Sequence, residues 1–239
     1  MAGAIAERQE TGLIDAINSG FGQNNGKPFT ISGVGNTRIT DCIRAEKFEG
    51  RSTAGTEPYT DVVIYRTRNR KVNVSMKGTS APSIAGGGLK GLELAVPGFT
   101  KKFLDASLKK YKGMGFQEGM SNLPDMYGKV SDDLKEQIVV GNKDMGGPID
   151  YMYVGPMNVT SRFSGGTLSV NGKFTPAKTY AKKNDLFLRL RKRRADQPFT
   201  EEVQNGLPVI LGKSPSRGDK GRRIVTTTKT PGNATVVEF

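Results

Sequence analysis

Histidine is absent from this 239-residue chain, and cysteine occurs once, at Cys42. These two shortages remove much of the usual catalytic repertoire. There is no Ser-His-Asp triad, no Cys-His dyad, no histidine general base and no zinc site of the Cys/His kind. A single cysteine also forbids an intramolecular disulfide framework, which fits a reducing compartment. No apolar run approaches the roughly 18 residues of a membrane span, and Met1–Glu7 lacks the basic start and long apolar stretch of a signal peptide. The expectation is a soluble, cytoplasmic protein with no membrane partner. At this length the chain can bury one good-sized core plus a small appended module. Carboxylates, lysines, tyrosines and hydroxyls are what remain for chemistry.

Positive charge is abundant and unevenly placed. The net formal charge is +13; residues 160–239 hold sixteen Lys and Arg against six Asp and Glu, and the other 159 residues hold twenty against seventeen. Within the basic third, Leu186–Arg194 alternates, with Leu188 and Leu190 on one face and Arg189, Arg191 and Arg193 on the other, and Arg194 closing the run. This predicts a strand with an outward arginine row. Alternate strand residues lie about 6.6–6.8 Å apart, a repeat that suits successive phosphates. A second cluster, from Lys213 to Arg222 and Arg223, falls in a Gly/Ser/Pro-rich loop. Both clusters point to nucleic acid as partner. An anionic membrane fits less well, because the basic strand has no amphipathic helix beside it.

The densest information lies in residues 57–78. Val62-Val63-Ile64-Tyr65 and Lys71–Gly78 read as two strands joined by a polar, basic turn, with Asp61 heading the first. In the second strand Val72, Val74 and Met76 alternate with Asn73, Ser75 and Lys77. Residues i and i+2 of a strand share a side, so Ser75 and Lys77 project together, toward where Asp61 can also point. A carboxylate beside a lysine at the mouth of a hairpin suits metal-assisted phosphodiester hydrolysis, with the acid holding Mg²⁺ and the lysine steadying the water or the phosphate. The first segment adds a further acid. Residues 5–18 show helical spacing, with Ala6, Leu13, Ile14 and Ile17 on one face, and Glu10 is expected in the middle of that face. An acid aimed at a core is costly unless paired or bound to a metal.

Asp61 followed by Ser75-Met76-Lys77 resembles the PD-(D/E)XK nuclease superfamily, over about residues 5–110. In that family a glutamate-bearing helix precedes a hairpin that carries the aspartate and then an acid-x-lysine pair. Two departures are visible: Pro58 stands three residues before Asp61 instead of one, and Ser75 takes the place of the acid. Some restriction enzymes of the superfamily also have serine there, with the acid supplied by the following helix, which would be Glu93 here. The resemblance implies a restriction-endonuclease-like α/β fold, a central mixed sheet flanked by helices. It implies Mg²⁺ or Mn²⁺ held by Glu10, Asp61 and Glu93, and catalysis by Asp61, Lys77, Ser75 and Glu93. The function implied is a metal-dependent deoxyribonuclease of phage or mobile-element type, with DNA as substrate. The alternative is a nuclease-fold protein that binds DNA or serves as a virion component without cleaving. A homodimer is compatible with either.

The remaining segments complete the expected layout: a nuclease-like core over 1–159 and a β-rich basic region over 160–239, packed on the same sheet. The Gly-rich run 78–88 reads as a loop near the site whose backbone N–H groups suit a phosphate. Residues 97–112 and 132–140 read as helices. Asp150, which heads a further strand, reads as structural. Asn171-Gly172 predicts a type I′ hairpin, and 207–211 a late strand.

Overall fold

The computed structural model describes residues 2–53, 55, 57–79, 88–115, 124–192, 222–229 and 231–239. The Gly-rich run over 80–87, the late strand at 207–211, and Arg193, Arg194 and Lys213 lie outside them. Helix α1 (Ala2–Gln23) forms where the helical apolar spacing was read. Its deepest line runs Gln9, Leu13, Ile17 in steps of four, all buried, while Ala6 is exposed. The centre of the face is therefore Gln9, one residue away from the expected Glu10. Glu10 sits at the margin, with 14% of its side chain exposed. Four-residue steps follow a helix's own contact row, and the row through Leu13 and Ile17 begins at Gln9.

Most of the chain's strands form one mixed sheet. Strands β1 (Phe29–Ser32), β2 (Arg38–Lys47), β3 (Val62–Arg66) and β4 (Arg70–Gly78) make an antiparallel meander. Strand β6 (Tyr151–Gly155) then lies parallel to β4, and β9 (Lys173–Pro176) antiparallel to β6. On the other side, β8 (Thr167–Val170) runs parallel to β1 and β7 (Ser161–Ser164) pairs with β8, giving the order β7-β8-β1-β2-β3-β4-β6-β9.

Asn171-Gly172 does not make the expected hairpin. It joins β8 to β9, which do not pair and lie toward opposite ends of the sheet. A type I′ turn needs two residues at positive φ, and that conformation is found instead at Gly165 and Gly166, φ 53° and 71°, between β7 and β8. A two-residue link spans at most about 11 Å, so the sheet curls until its two ends approach. The inner face closes on Leu13 and Ile17 of α1, together with Ile31, Ile39, Val62, Ile64, Val74, Leu168 and Phe174.

A second core lies between helices and a smaller sheet. The helices are α2 (Gly88–Ala95), α3 (Phe99–Gly113), α4 (Asp132–Val140) and α5 (Ala177–Lys183). The sheet has the order β11-β10-β5-β12, from β5 (Met126–Lys129), β10 (Phe187–Lys192), β11 (Arg222–Thr227) and β12 (Thr235–Val237). Leu92, Phe103, Met126, Ile138, Met152 and Leu188 are among its buried side chains. Residues on both sides of position 159 contribute to each sheet: β7–β9 extend the large one, and β5 sits between β10 and β12. The protein is thus mixed α/β, a large mixed sheet flanked by helices. Among the described residues no helix is long and apolar enough to cross a membrane.

One buried polar atom in this second core has no partner. The Tyr59 hydroxyl is enclosed and accepts and donates nothing among the described residues, and burial pushes its ionisation upward. An unsatisfied hydroxyl loses its hydration without return. Tyr59→Phe is therefore expected to leave stability unchanged or raise it by about 1 kcal/mol, read from the urea midpoint; a loss of that size would mean the hydroxyl has a partner.

Candidate active site at the α1–β3–β4 corner

Asp61 stands where β3 leaves the sheet. Its own N–H still donates to the Val74 carbonyl, 2.9 Å, and its carbonyl accepts from Phe48 N–H, 3.0 Å. The preceding residue turns away, and the Thr60 hydroxyl donates instead to the Gly146 carbonyl, 2.6 Å. The Asp61 side chain then continues the ladder that the backbone abandons: its Oδ2 accepts from Met76 N–H at 2.5 Å. The β3–β4 register sets Val62 opposite Val74, which brings Asp61 beside Ser75. The buried Ser75 hydroxyl donates to Asp61 Oδ2 at 3.1 Å, and Lys77 Nζ lies 3.7 Å from the same oxygen. Asp61, Ser75 and Lys77 thus meet at one atom.

Glu10 approaches from α1. Lys47, at the end of β2, places its Nζ 3.3 Å from Glu10 and 3.6 Å from Glu7. Burial raises the Glu10 acid above the ordinary carboxylate range, the charge of Asp61 raises it further, and Lys47 only partly offsets this; Glu57 adds to the rise. Two carboxylates from different elements therefore share one field, flanked by Lys47 and Lys77. Among the described residues, no group of three or more His, Cys, Asp or Glu side chains is placed to hold a metal ion. A cation at this corner would rely on the Glu10–Asp61 pair.

Neither a family model, nor a curated protein, nor a solved structure matches the chain.

Gln9 links the parts of this corner. Its Nε2 donates to the carbonyls of Gly155 at 2.9 Å and Pro156 at 3.1 Å, with the Lys77 carbonyl at 3.4 Å. The helix that carries Glu10 is thereby fastened to the ends of β6 and β4. The steps of four through Gln9, Leu13 and Ile17 carried that signal in the sequence. Lys47 and Glu57 carried none, since their proximity depends on the β2–β3 register and on a loop.

The other expected site residues lie apart from this group. Glu93 caps a helix: its carboxylate accepts from Gly98 N–H at 2.6 Å and Thr100 N–H at 2.8 Å, and from the Thr100 hydroxyl. A negative group satisfying the free N–H groups of a helix start is well placed electrostatically, and no contact among the described residues ties Glu93 to Glu10 or Asp61. Asp150 accepts from Asn73 N–H at 2.7 Å, at the join of β4 and β6. Leu188 and Leu190 of β10 are buried, but Arg189 does not stand in an open row. Its guanidinium binds Asp125 at 2.5 and 2.9 Å and lies over the Tyr127 ring. The β10–β11 register sets Arg191 opposite Arg223 and Lys192 opposite Arg222.

Two outcomes test this geometry. Because the Glu10 acid is raised in the folded state, the fold gains from its protonation. That gain is complete below the unfolded-state value and is lost as pH rises through the raised one. Glu10→Gln should therefore be more stable than the parent at pH 7–8, with the difference closing near pH 4, in thermal melts across pH. Gln9→Leu should cost about 1–3 kcal/mol in urea unfolding, because it leaves buried carbonyls unpaired; an unchanged midpoint would remove the fastening role.

Proposed function

We propose that this corner is the active centre of a divalent-metal-dependent nuclease acting on DNA. The carrying observation is that Ser75 Oγ and Lys77 Nζ stand 3.1 and 3.7 Å from Asp61 Oδ2, with the first-helix carboxylate Glu10 in the same field. Helix glutamate, hairpin aspartate and strand lysine occur in the order and setting that the PD-(D/E)XK resemblance implies. The large mixed sheet flanked by helices supports a restriction-endonuclease-like fold.

The residues fit a hard cation. Mg²⁺ is commonly held by one or two carboxylates, with substrate phosphate and water completing its shell, and a cation would relieve the repulsion between Glu10 and Asp61. Bound there, Mg²⁺ or Mn²⁺ supplies Lewis-acid stabilisation of charge on the phosphate. The protein's own groups do the rest. The Ser75 hydroxyl and Met76 N–H fix the Asp61 carboxylate through Oδ2. Lys77, half-sheltered beside it, offers its ammonium to the phosphate or to the attacking water. Lys47 balances Glu10 and Glu7 until substrate and cation arrive. Arg191, Arg222 and Arg223, on adjacent basic strands, suit the DNA backbone, and Glu93 is left to its helix. A phage or mobile-element role suits such an enzyme.

The second reading is a DNA-binding or virion-associated protein that does not cleave. It is favoured by the occupation of Asp61 Oδ2 by two hydrogen-bond donors and the nearby Lys77 ammonium, and by the lack, among the described residues, of a third acid in a metal-holding group.

Supercoiled-plasmid cleavage with Mg²⁺ or Mn²⁺ separates the two. Lys77→Ala and Asp61→Ala should each lower the nicking rate by roughly 10²–10³ while DNA binding persists; full activity in either overturns the site. A wild-type protein that binds DNA in a salt-dependent way but never nicks it establishes the second reading. Mn²⁺ should also raise the melting temperature of the wild type by mass action, and should not do so for Glu10→Gln.

A further inference from the structure

A cluster of basic side chains lies at the far end of the β3–β4 hairpin. Register sets Arg44 of β2, Tyr65 of β3 and Lys71 of β4 in one row across the sheet. Arg44 Cζ sits 3.7 Å from the centre of the Tyr65 ring, and Lys71 Nζ sits 4.9 Å from it. Two cations on one ring hold each other's positions against their mutual repulsion, because the ring's negative face attracts both. The turn beyond adds Arg68 and Asn69 at φ 59° and 55°, with Arg68 exposed. Arg66 and Arg70 share Asp41 at 3.6 and 2.8 Å, and Glu46 is taken by Arg44 and the Tyr65 hydroxyl. Arg44, Arg66 and Arg70 pair with these two acids, while Arg38, Arg68 and Lys71 are exposed beside them. A folded protein that needs no anion gains nothing by holding like charges this close.

The row also has a defined relation to the active corner. Asp61, just before β3, bonds Ser75, and Ser75 shares a face of β4 with Lys71, the residue opposite Tyr65; Asp61 and Tyr65 thus lie on one face of the sheet, about 14 Å from each other. On a duplex that distance is about four base pairs. Between them on β4 stands Asn73, whose side-chain amide donates to the Pro148 carbonyl at 2.9 Å. We infer that the Arg44–Tyr65–Lys71 row and the Arg68 turn form a phosphate-binding surface for substrate DNA, gripping its backbone about four base pairs from the phosphate held at Asp61 and Lys77. This placement rests on the nuclease reading, but the surface itself does not. Its ligand is a phosphodiester backbone read through charge, without base specificity.

The test measures binding to a mixed-sequence duplex in EDTA, as a function of salt, for wild type and for Arg44→Gln/Arg68→Asn/Lys71→Gln. Asparagine at position 68 tolerates the left-handed backbone there. Each lost phosphate contact should flatten the plot of log K against log salt by about 0.9, so the triple variant should lose about 2–3 units of slope. Lys71→Gln alone should lose about one unit, and it guards against a folding defect in the triple variant. An unchanged slope in both, or a wild-type protein that does not bind, overturns the surface. Plasmid cleavage by the wild type reports separately on the active centre. A cleaving protein with unchanged slopes keeps the nuclease and loses the surface. A protein that never cleaves, but whose slope falls in the variants, keeps the surface and loses the nuclease.

Discussion

A single buried amide ties the Glu10–Asp61 corner together. Gln9 spends both Nε2 hydrogens on carbonyls at the ends of β6 and β4, and in doing so sets the height of α1 against the curled sheet. Leu13 and Ile17 supply the apolar seat, yet apolar contact alone is non-directional. A helix resting on Leu and Ile can slide or rotate with little penalty. The hydrogen bonds remove that freedom, because any slide would leave buried carbonyls without a donor. Glu10, the next residue, is thereby carried to Asp61.

The electrostatics of the corner then follow from which charges the fold has brought together. Asp61 is fixed by a backbone N–H, a hydroxyl and an ammonium, and Glu10 is met by Lys47. The two acids still repel, and burial adds to the penalty, so Glu10 holds its proton longer than an ordinary glutamate. A core that only needed stability would have placed leucine or glutamine there.

Basic charge is distributed by a different rule. Arg189 looked like the first member of an open row, but Asp125 lies within reach and neutralises it. The hairpin, a few residues of mixed polar character in the linear chain, gathers Arg44 from β2 and Lys71 from β4 around Tyr65, with Arg68 exposed at its turn. Cross-strand neighbours decide this, and they come from register. A charge run read along the chain counts cations without their partners, whereas a folded surface counts both.

Local alternation and periodicity were enough to identify α1, the β3–β4 hairpin, α3, α4 and β10, because each of these patterns is set by residues within a few positions of one another. The same locality made Asp61, Ser75 and Lys77 recognisable as neighbours. Glu93 and the Asn171-Gly172 link were not decided locally. Glu93 could serve any nearby cation or N–H, and the start of α3 reached it first. Asn171-Gly172 had the composition of a tight reversal, but the curling of the sheet carries the chain straight across from β8 to β9, and the positive-φ turn falls at Gly165-Gly166. The amino-acid sequence by itself determined that α1, the β3–β4 hairpin, α3, α4 and β10 form, and that β4 and β10 bury their alternate apolar residues. The tertiary structure alone decided that Gln9 and not Glu10 lies deepest, that Lys47 answers Glu10, and that Asp125 silences Arg189. Those outcomes depend on register and on which distant groups arrive within a few ångströms, and hydrogen bonds and charge pairs are settled at that range.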